Sequence, residues 1–155
     1  RSIADLGCGD FHWMSLVDLA GVQYDGYDVV QFLIEKNVQR HGRDWVRFHH
    51  ADLMTFAVPA VDLLVLKDVL IHLPTTQALE ILGHALGSHS KFIASTTSPG
   101  WPVTNRICMK VGDFSPIDLE AEPFSLGTPL DSVEVPSRAG NPRKRFSLWR
   151  ISESS

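Results

Sequence analysis

Apolar residues over the first hundred positions follow two alternating rhythms, short continuous runs and stretches at helical spacing. Ser2-Ile3-Ala4-Asp5-Leu6 is a short run ending at Gly7 and reads as a buried strand. The spacing over Trp13 to Ala20 predicts a helix, with Leu16, Val17, Leu19 and Ala20 on its apolar face and Gly21 as its stop. Tyr24 to Asp28 reads as a second strand. Val30 to His41 reads as a second helix, with Phe32, Leu33 and Ile34 turned inward and Gly42 closing it. Val46 to His49 is a short third strand. Val61 to Leu66 is apolar throughout apart from Asp62, the pattern of a central parallel strand buried on both faces. Thr75 or Thr76 can cap a helix running to about Leu86, and Lys91 to Thr96 supplies a fifth strand. Strand–helix alternation with short connections predicts an α/β fold, a mostly parallel sheet with helices on both faces.

After Thr97 the rhythm breaks. A Pro- and Gly-rich stretch over about 98–130 has no clean period. Val133-Glu134-Val135 and Arg145 to Ile151 then alternate on either side of a turn-like segment from Ser137 to Pro142, which predicts a closing antiparallel hairpin. Trp149 falls on its inward side. The pattern describes one domain over 1–152 with a frayed tail at 153–155.

Composition narrows the class. With 155 residues, 44% hydrophobic and 21% charged, the chain is an ordinary globular domain. A net charge of -4 argues against a general nucleic-acid binder. Arg138, Arg143, Lys144 and Arg145 form a basic cluster that reads as a solvated strand edge. Cys8 and Cys108 are too few for a disulfide scaffold and are expected as free thiols, which fits a cytoplasmic setting. No apolar run approaches the roughly 20 residues of a membrane span. The chain starts at Arg1, almost on its first strand, so further sequence upstream is expected. His49 and His50 point to opposite faces of a strand, and His84 and His89 lie near a helix end; no metal site is expected.

The candidate chemistry sits at the strand ends. Gly7-Cys8-Gly9 follows the first strand, where absent side chains let the backbone turn sharply and approach a ligand. Asp5 precedes the first glycine by two residues. Asp28 ends the second strand, near the offset at which a carboxylate meets ribose hydroxyls. Asp52 follows the third strand, a position that also suits a helix cap. His72 follows the fourth strand on the same edge, as a candidate base or as a packing residue of the turn from Asp68 to Pro74.

These residues resemble the class I S-adenosylmethionine-dependent methyltransferase family. Asp5-Leu6-Gly7-Cys8-Gly9 is similar to its first motif and Tyr24 to Val29 to its second. His50-Ala51-Asp52-Leu53 is similar to the third, and Asp62 to Pro74 to the fourth. The likeness runs in register over about residues 2–97. It implies a Rossmann-like sheet closed by the hairpin, S-adenosylmethionine as cofactor and S-adenosylhomocysteine as product. It further implies that Gly7, Cys8 and Gly9 pass the methionine part, and that Asp5 lies near its amino group or holds the loop. Asp28 would take both ribose hydroxyls. Asp52 would face the adenine amino group, with Val29 and Leu53 on either side of the ring. Lys67 and Asp68 would line the floor near the sulfonium, the lysine through its carbonyl.

Phe11 stands where the family has its third glycine; with His12 and Trp13 it reads as an aromatic shoulder over the loop that could favour a cation. The family's helix before the hairpin is replaced by the irregular stretch, where Trp101, Asn105 and Arg106, with Phe11 and Trp13, are the candidate substrate residues. The expected acceptor is a small molecule, a sugar or other polar metabolite, with neither nucleic acid nor membrane as partner. Two rivals stay open: a non-catalytic S-adenosylmethionine-binding or scaffold module, and an NAD-dependent oxidoreductase, whose third glycine would have to stand at His12.

Overall fold

A computed structural model of the chain describes residues 1–100, 110, 112–136 and 143–151. Among these, seven strands form one sheet in the order β3-β2-β1-β4-β5-β7-β6. They are β1 (Ser2–Leu6), β2 (Gln23–Asp28), β3 (Val46–His50), β4 (Leu63–Leu66), β5 (Phe92–Thr97), β6 (Asp131–Val135) and β7 (Lys144–Arg150). The first five run parallel, and β7 enters antiparallel between β5 and β6. The helices are α1 (Gln31–His41) and α2 (Thr75–Leu86). The parallel sheet with a closing hairpin is the predicted architecture.

Burial follows the pleat. Ala4 and Leu6 of β1 join Leu64 and Leu66 of β4 on one face, against α2. On α2, Ala78, Ile81, Leu82 and Ala85 are buried at the spacing of one helical stripe. The irregular segment covers the rest of that face: Ile117, Leu119 and Phe124 are buried there with Trp149, whose Nε1 donates to the Gly127 carbonyl at 2.9 Å. The segment is anchored to β5, since Ser98 N donates to Ile117 O at 2.7 Å and Leu119 N to Thr97 Oγ1 at 3.0 Å. No helix occurs in its described part, as the sequence predicts.

The other face departs from expectation. The helix predicted over Trp13 to Ala20 is a single 3₁₀ turn, Met14–Leu16. Local side chains capture the backbone instead: His12 N donates to Asp10 Oδ1, Ser15 Oγ to His12 O and Ala20 N to Asp18 Oδ1. Leu16 and Val17, expected inside, are 79% and 45% exposed; Met14 and Leu19 are the buried ones. Phe32 of α1, also expected inside, is 69% exposed, because the inward stripe is Ile34, Asn37 and His41. At α2 the residue before the helix is Pro74, which has no side-chain hydrogen bond to give, so neither Thr75 nor Thr76 is the cap. The strand predicted from Val61 begins at Leu63; Asp62 instead accepts from Ser2 N at 2.9 Å and Lys91 Nζ at 2.6 Å, bracing the strands at their entry.

Candidate functional site

The glycine loop leaves β1 at the carboxyl edge of the sheet. Gly7 has φ 86° and Gly9 φ 54°, left-handed values that cost little only without a side chain. The loop is pinned to the end of β2: Gly7 N and Cys8 N both donate to Tyr27 O, at 2.7 and 3.0 Å. Asp28 clasps it from the side chain. Its Oδ2 accepts from Gly9 N and its Oδ1 from Val30 N, each at 2.9 Å, so one carboxylate ties the loop to the entry of α1. Asn37 of α1 completes the clasp by donating to Gly9 O at 2.8 Å. A Cβ at Gly9 would meet nothing within 4 Å, so the space beside the loop is open.

Asp5 lies under the loop, 1% exposed. Tyr24 donates to its Oδ2 at 2.8 Å, while Oδ1 is buried and has no partner among the described residues. Burial pushes the Asp5 carboxyl up to about 7, with Asp28 adding to the rise and the Tyr24 hydroxyl and Lys67 opposing it. The Tyr24 hydroxyl is driven upward by burial and by the same carboxylate. Gly26 makes this packing possible, since a Cβ there would stand 3.0 Å from Cys8 Sγ, Tyr24 OH and a Phe48 ring carbon. Cys8 is a buried free thiol, held protonated by burial. Cys108 lies outside the described residues.

Phe11 is a correction. It is 4% exposed and packs its ring on Tyr24, His41 and Phe48 at centroid distances of 5.2, 5.0 and 5.0 Å. It is core, not a wall facing a cation, and its φ of 60° keeps the glycine-like turn. A cavity of about 270 Å³ opens beside it, lined by Met14, Val17, Leu19, His41 and Trp45 among others, and neither Asp28 nor Asp68 lines it.

At the ends of β4 and β5 stands a charged cluster. Lys67 Nζ donates to Asp68 Oδ2 at 2.7 Å, and Lys144 Nζ, from the start of β7, donates to Asp68 Oδ1 at 3.0 Å. Lys144 is therefore no solvated edge residue. Thr96 locks Asp68, accepting from its N at 2.9 Å and donating to its Oδ1 at 3.1 Å. Asp68 has φ 58°. Burial pushes its carboxyl upward, but the two lysines outweigh that and hold it below the usual carboxylate range. Lys67 Nζ sits 5.5 Å from the Trp13 ring centre, and Trp13 meets Phe146 edge-on at 6.0 Å. So Trp13 stands beside the charged cluster, whereas Phe11 is core.

The remaining candidates are spread along the edge. Val29 is 61% exposed and Leu53 half-buried. Asp52 is exposed and its Oδ1 accepts from Met54 N at 2.9 Å, the turn-capping geometry. His72 is exposed on the 3₁₀ turn Leu70–His72, with Nδ1 2.9 Å from the Asp113 carbonyl. A carbonyl only accepts, so Nδ1 carries the proton and Nε2 is the nitrogen able to take one. Trp101, Asn105 and Arg106 lie outside the described residues. No described group of three or more His, Cys, Asp or Glu side chains is arranged to hold a metal. No described helix is long and apolar enough to cross a membrane.

Tyr24, Gly26, Asn37, Thr96 and Lys144 belong to the framework of the candidate site, a role the sequence reading gave to none of them, although Tyr24 and Gly26 fall within the second motif. Asn37 had a signal, a polar residue on the inward stripe of an amphipathic helix. Lys144 had none, being 76 positions from Asp68.

No family model matches the chain, and no curated protein matches it by sequence. Solved structures do. Magnesium protoporphyrin IX methyltransferase from Synechocystis PCC 6803, with bound S-adenosylmethionine, superposes with a TM-score of 0.71 at 18% identity, over 97% of this chain and 69% of that one. The N-methyltransferase NodS from Bradyrhizobium japonicum WM9, in complex with S-adenosylhomocysteine, gives 0.73 at 15% identity, over 99% and 79%. The [4+2]-cyclase SpnF gives 0.61 at 18%, over 86% and 54%. The chain has the class I methyltransferase fold, the Rossmann-like sheet closed by an antiparallel hairpin that its motifs imply.

Proposed function

We propose that this chain is a methyltransferase that moves a methyl group from S-adenosylmethionine to a small-molecule acceptor. One observation carries the reading: a glycine loop clasped by Asp28 at the carboxyl edge of β1, with open space at Gly9 and, beneath it, a buried Asp5 oxygen that has no partner among the described residues. That arrangement fits the cofactor. An ammonium group would satisfy the orphaned Asp5 oxygen, and a buried acceptor left without one costs about 1–3 kcal/mol. Asp28 retains further lone pairs for ribose hydroxyls beyond the two backbone bonds it accepts. Val29 and Leu53 offer apolar surface for the base, and Asp52 stands beside them.

When bound, the cofactor supplies an electrophilic methyl group on a sulfonium. The chain's part is to orient, and correct positioning alone lowers such a displacement barrier substantially. Lys67 and Asp68 form the floor, Trp13 its wall, and His72 Nε2 would serve only an acceptor that carries a proton to lose.

A second reading, in which the chain holds the cofactor without transferring its methyl group, is favoured by the [4+2]-cyclase of the same fold, named for a reaction other than methyl transfer. A nicotinamide enzyme is disfavoured by topology, because an antiparallel β7 takes the place between β5 and β6 where the dinucleotide fold continues with parallel strands.

Calorimetry tests the cofactor. Both S-adenosylmethionine and S-adenosylhomocysteine are expected to bind, and Asp28→Ala to weaken both by about ten-fold or more through loss of the clasp and the ribose contacts. Absence of binding, or binding untouched by Asp28→Ala, removes the assignment. Binding without turnover over a broad acceptor panel selects the second reading.

A further inference from the structure

The cluster around Asp68 holds more positive charge than its fold requires. Two ammonium groups meet one carboxylate, leaving a surplus of one charge. The three side chains are only 24%, 22% and 29% exposed, so water screens that surplus incompletely. A structural ion pair would need one lysine, and Asp68 is already fixed through Thr96. Each ammonium can donate three hydrogen bonds, and among the described residues each gives one, to Asp68. The cluster adjoins the glycine loop: the Lys67 charge reaches Asp5, and the Val69 side chain packs against Gly7.

We infer that Lys67 and Lys144 receive the methyl acceptor and that it presents an anionic oxygen group, a carboxylate in the simplest case. The inference rests on the proposed methyl transfer. Chemistry points the same way. An oxyanion lone pair forms the new O–CH₃ bond as the C–S bond breaks and its electron pair stays on sulfur. The negative and positive charges cancel and no proton has to move. A neutral amine would instead become a cation between two ammonium groups, which opposes the reaction. The unspent lysine donors match an anionic oxygen with charge-assisted hydrogen bonds. Trp13, edge-on to Phe146 under Lys67, provides a flat apolar surface for the body of such a molecule.

Benzoate and its neutral counterpart benzamide are suitable probes, titrated into the full chain with and without saturating S-adenosylhomocysteine while the Trp13 indole N–H resonance is followed. Benzoate is expected to shift that resonance saturably and to bind about ten-fold or more tighter than benzamide. Lys144→Met is expected to bring the two within about two-fold, with thermal unfolding confirming that the variant is folded. Lys67→Met is the second variant and keeps the test decisive if the first does not fold. Equal binding of the two probes, or a preference that survives both substitutions, overturns the inference. An anion preference in a chain that fails to bind S-adenosylhomocysteine supports the anion site while removing the methyltransferase reading.

Discussion

The two faces of the sheet are built differently. One is covered by α2 and the irregular segment, and its buried side chains around Leu6, Leu64 and Leu66 are mainly apolar, with small hydroxyls such as Ser95 and Thr97 bonded to backbone groups. The other is covered by α1 and one 3₁₀ turn, leaves Leu16 and Phe32 in solvent, and keeps a carboxylate, a phenol and an amide near its centre in Asp5, Tyr24 and Asn37. The contrast separates two tasks. The apolar face supplies burial free energy, whereas the thin face spends some of it to hold polar groups under the glycine loop. In such a layer each large residue matters more, because few neighbours can collapse into its place.

Phe11 gives the sharpest test. Changing it to glycine relieves a left-handed backbone worth about 1 kcal/mol but empties a site whose filling is worth about 3–5 kcal/mol, so packing wins. Urea denaturation of Phe11→Gly is expected to register a net loss of about 2–4 kcal/mol. A stabilised variant would mean that the ring does not seal this face.

Asp5 comes next. Its folded pKa, raised from 3.8 to about 7, means that the fold favours the neutral acid. The contribution is therefore complete below about pH 4, declines as pH rises toward 7 and is lost above it. Urea midpoints of the parent chain are expected to fall across that window, whereas Asp5→Asn, which cannot ionise, keeps a level midpoint there. Parallel slopes for the two proteins would place the ionised carboxylate in a better-solvated setting.

The smallest effect belongs to the uncovered turn. Leu16→Ser removes a side chain that is 79% exposed, so the unfolding free energy is expected to move by no more than about 0.5 kcal/mol. A larger loss would mean that Leu16 is covered in solution.

Much of the fold was legible because strand burial writes continuous apolar runs, as in Leu63-Leu64-Val65-Leu66, and because Gly7, Gly9 and Asp28 have strong local meaning. The failures have physical causes. Trp13 to Ala20 has helical spacing, but Asp10, Ser15 and Asp18 offer the backbone competing bonds that a period count does not see. The burial of Phe11 is hidden from a local reading because its ring packs on Tyr24, His41 and Phe48, which lie on other elements. The Asp68 cluster joins β4, β5 and β7, and no local pattern announces a contact across 76 positions.

The insertion of β7 between β5 and β6 has a consequence for the order of assembly. The five parallel strands can pair as soon as residues up to Thr97 are available, but the outer edge of β5 stays open until β7 arrives. An open edge invites pairing with other chains. The residue that opens β7 is Lys144, which also brings the second ammonium to Asp68. Protection of the edge and completion of the charged cluster are thus one event, and a half-folded chain has neither.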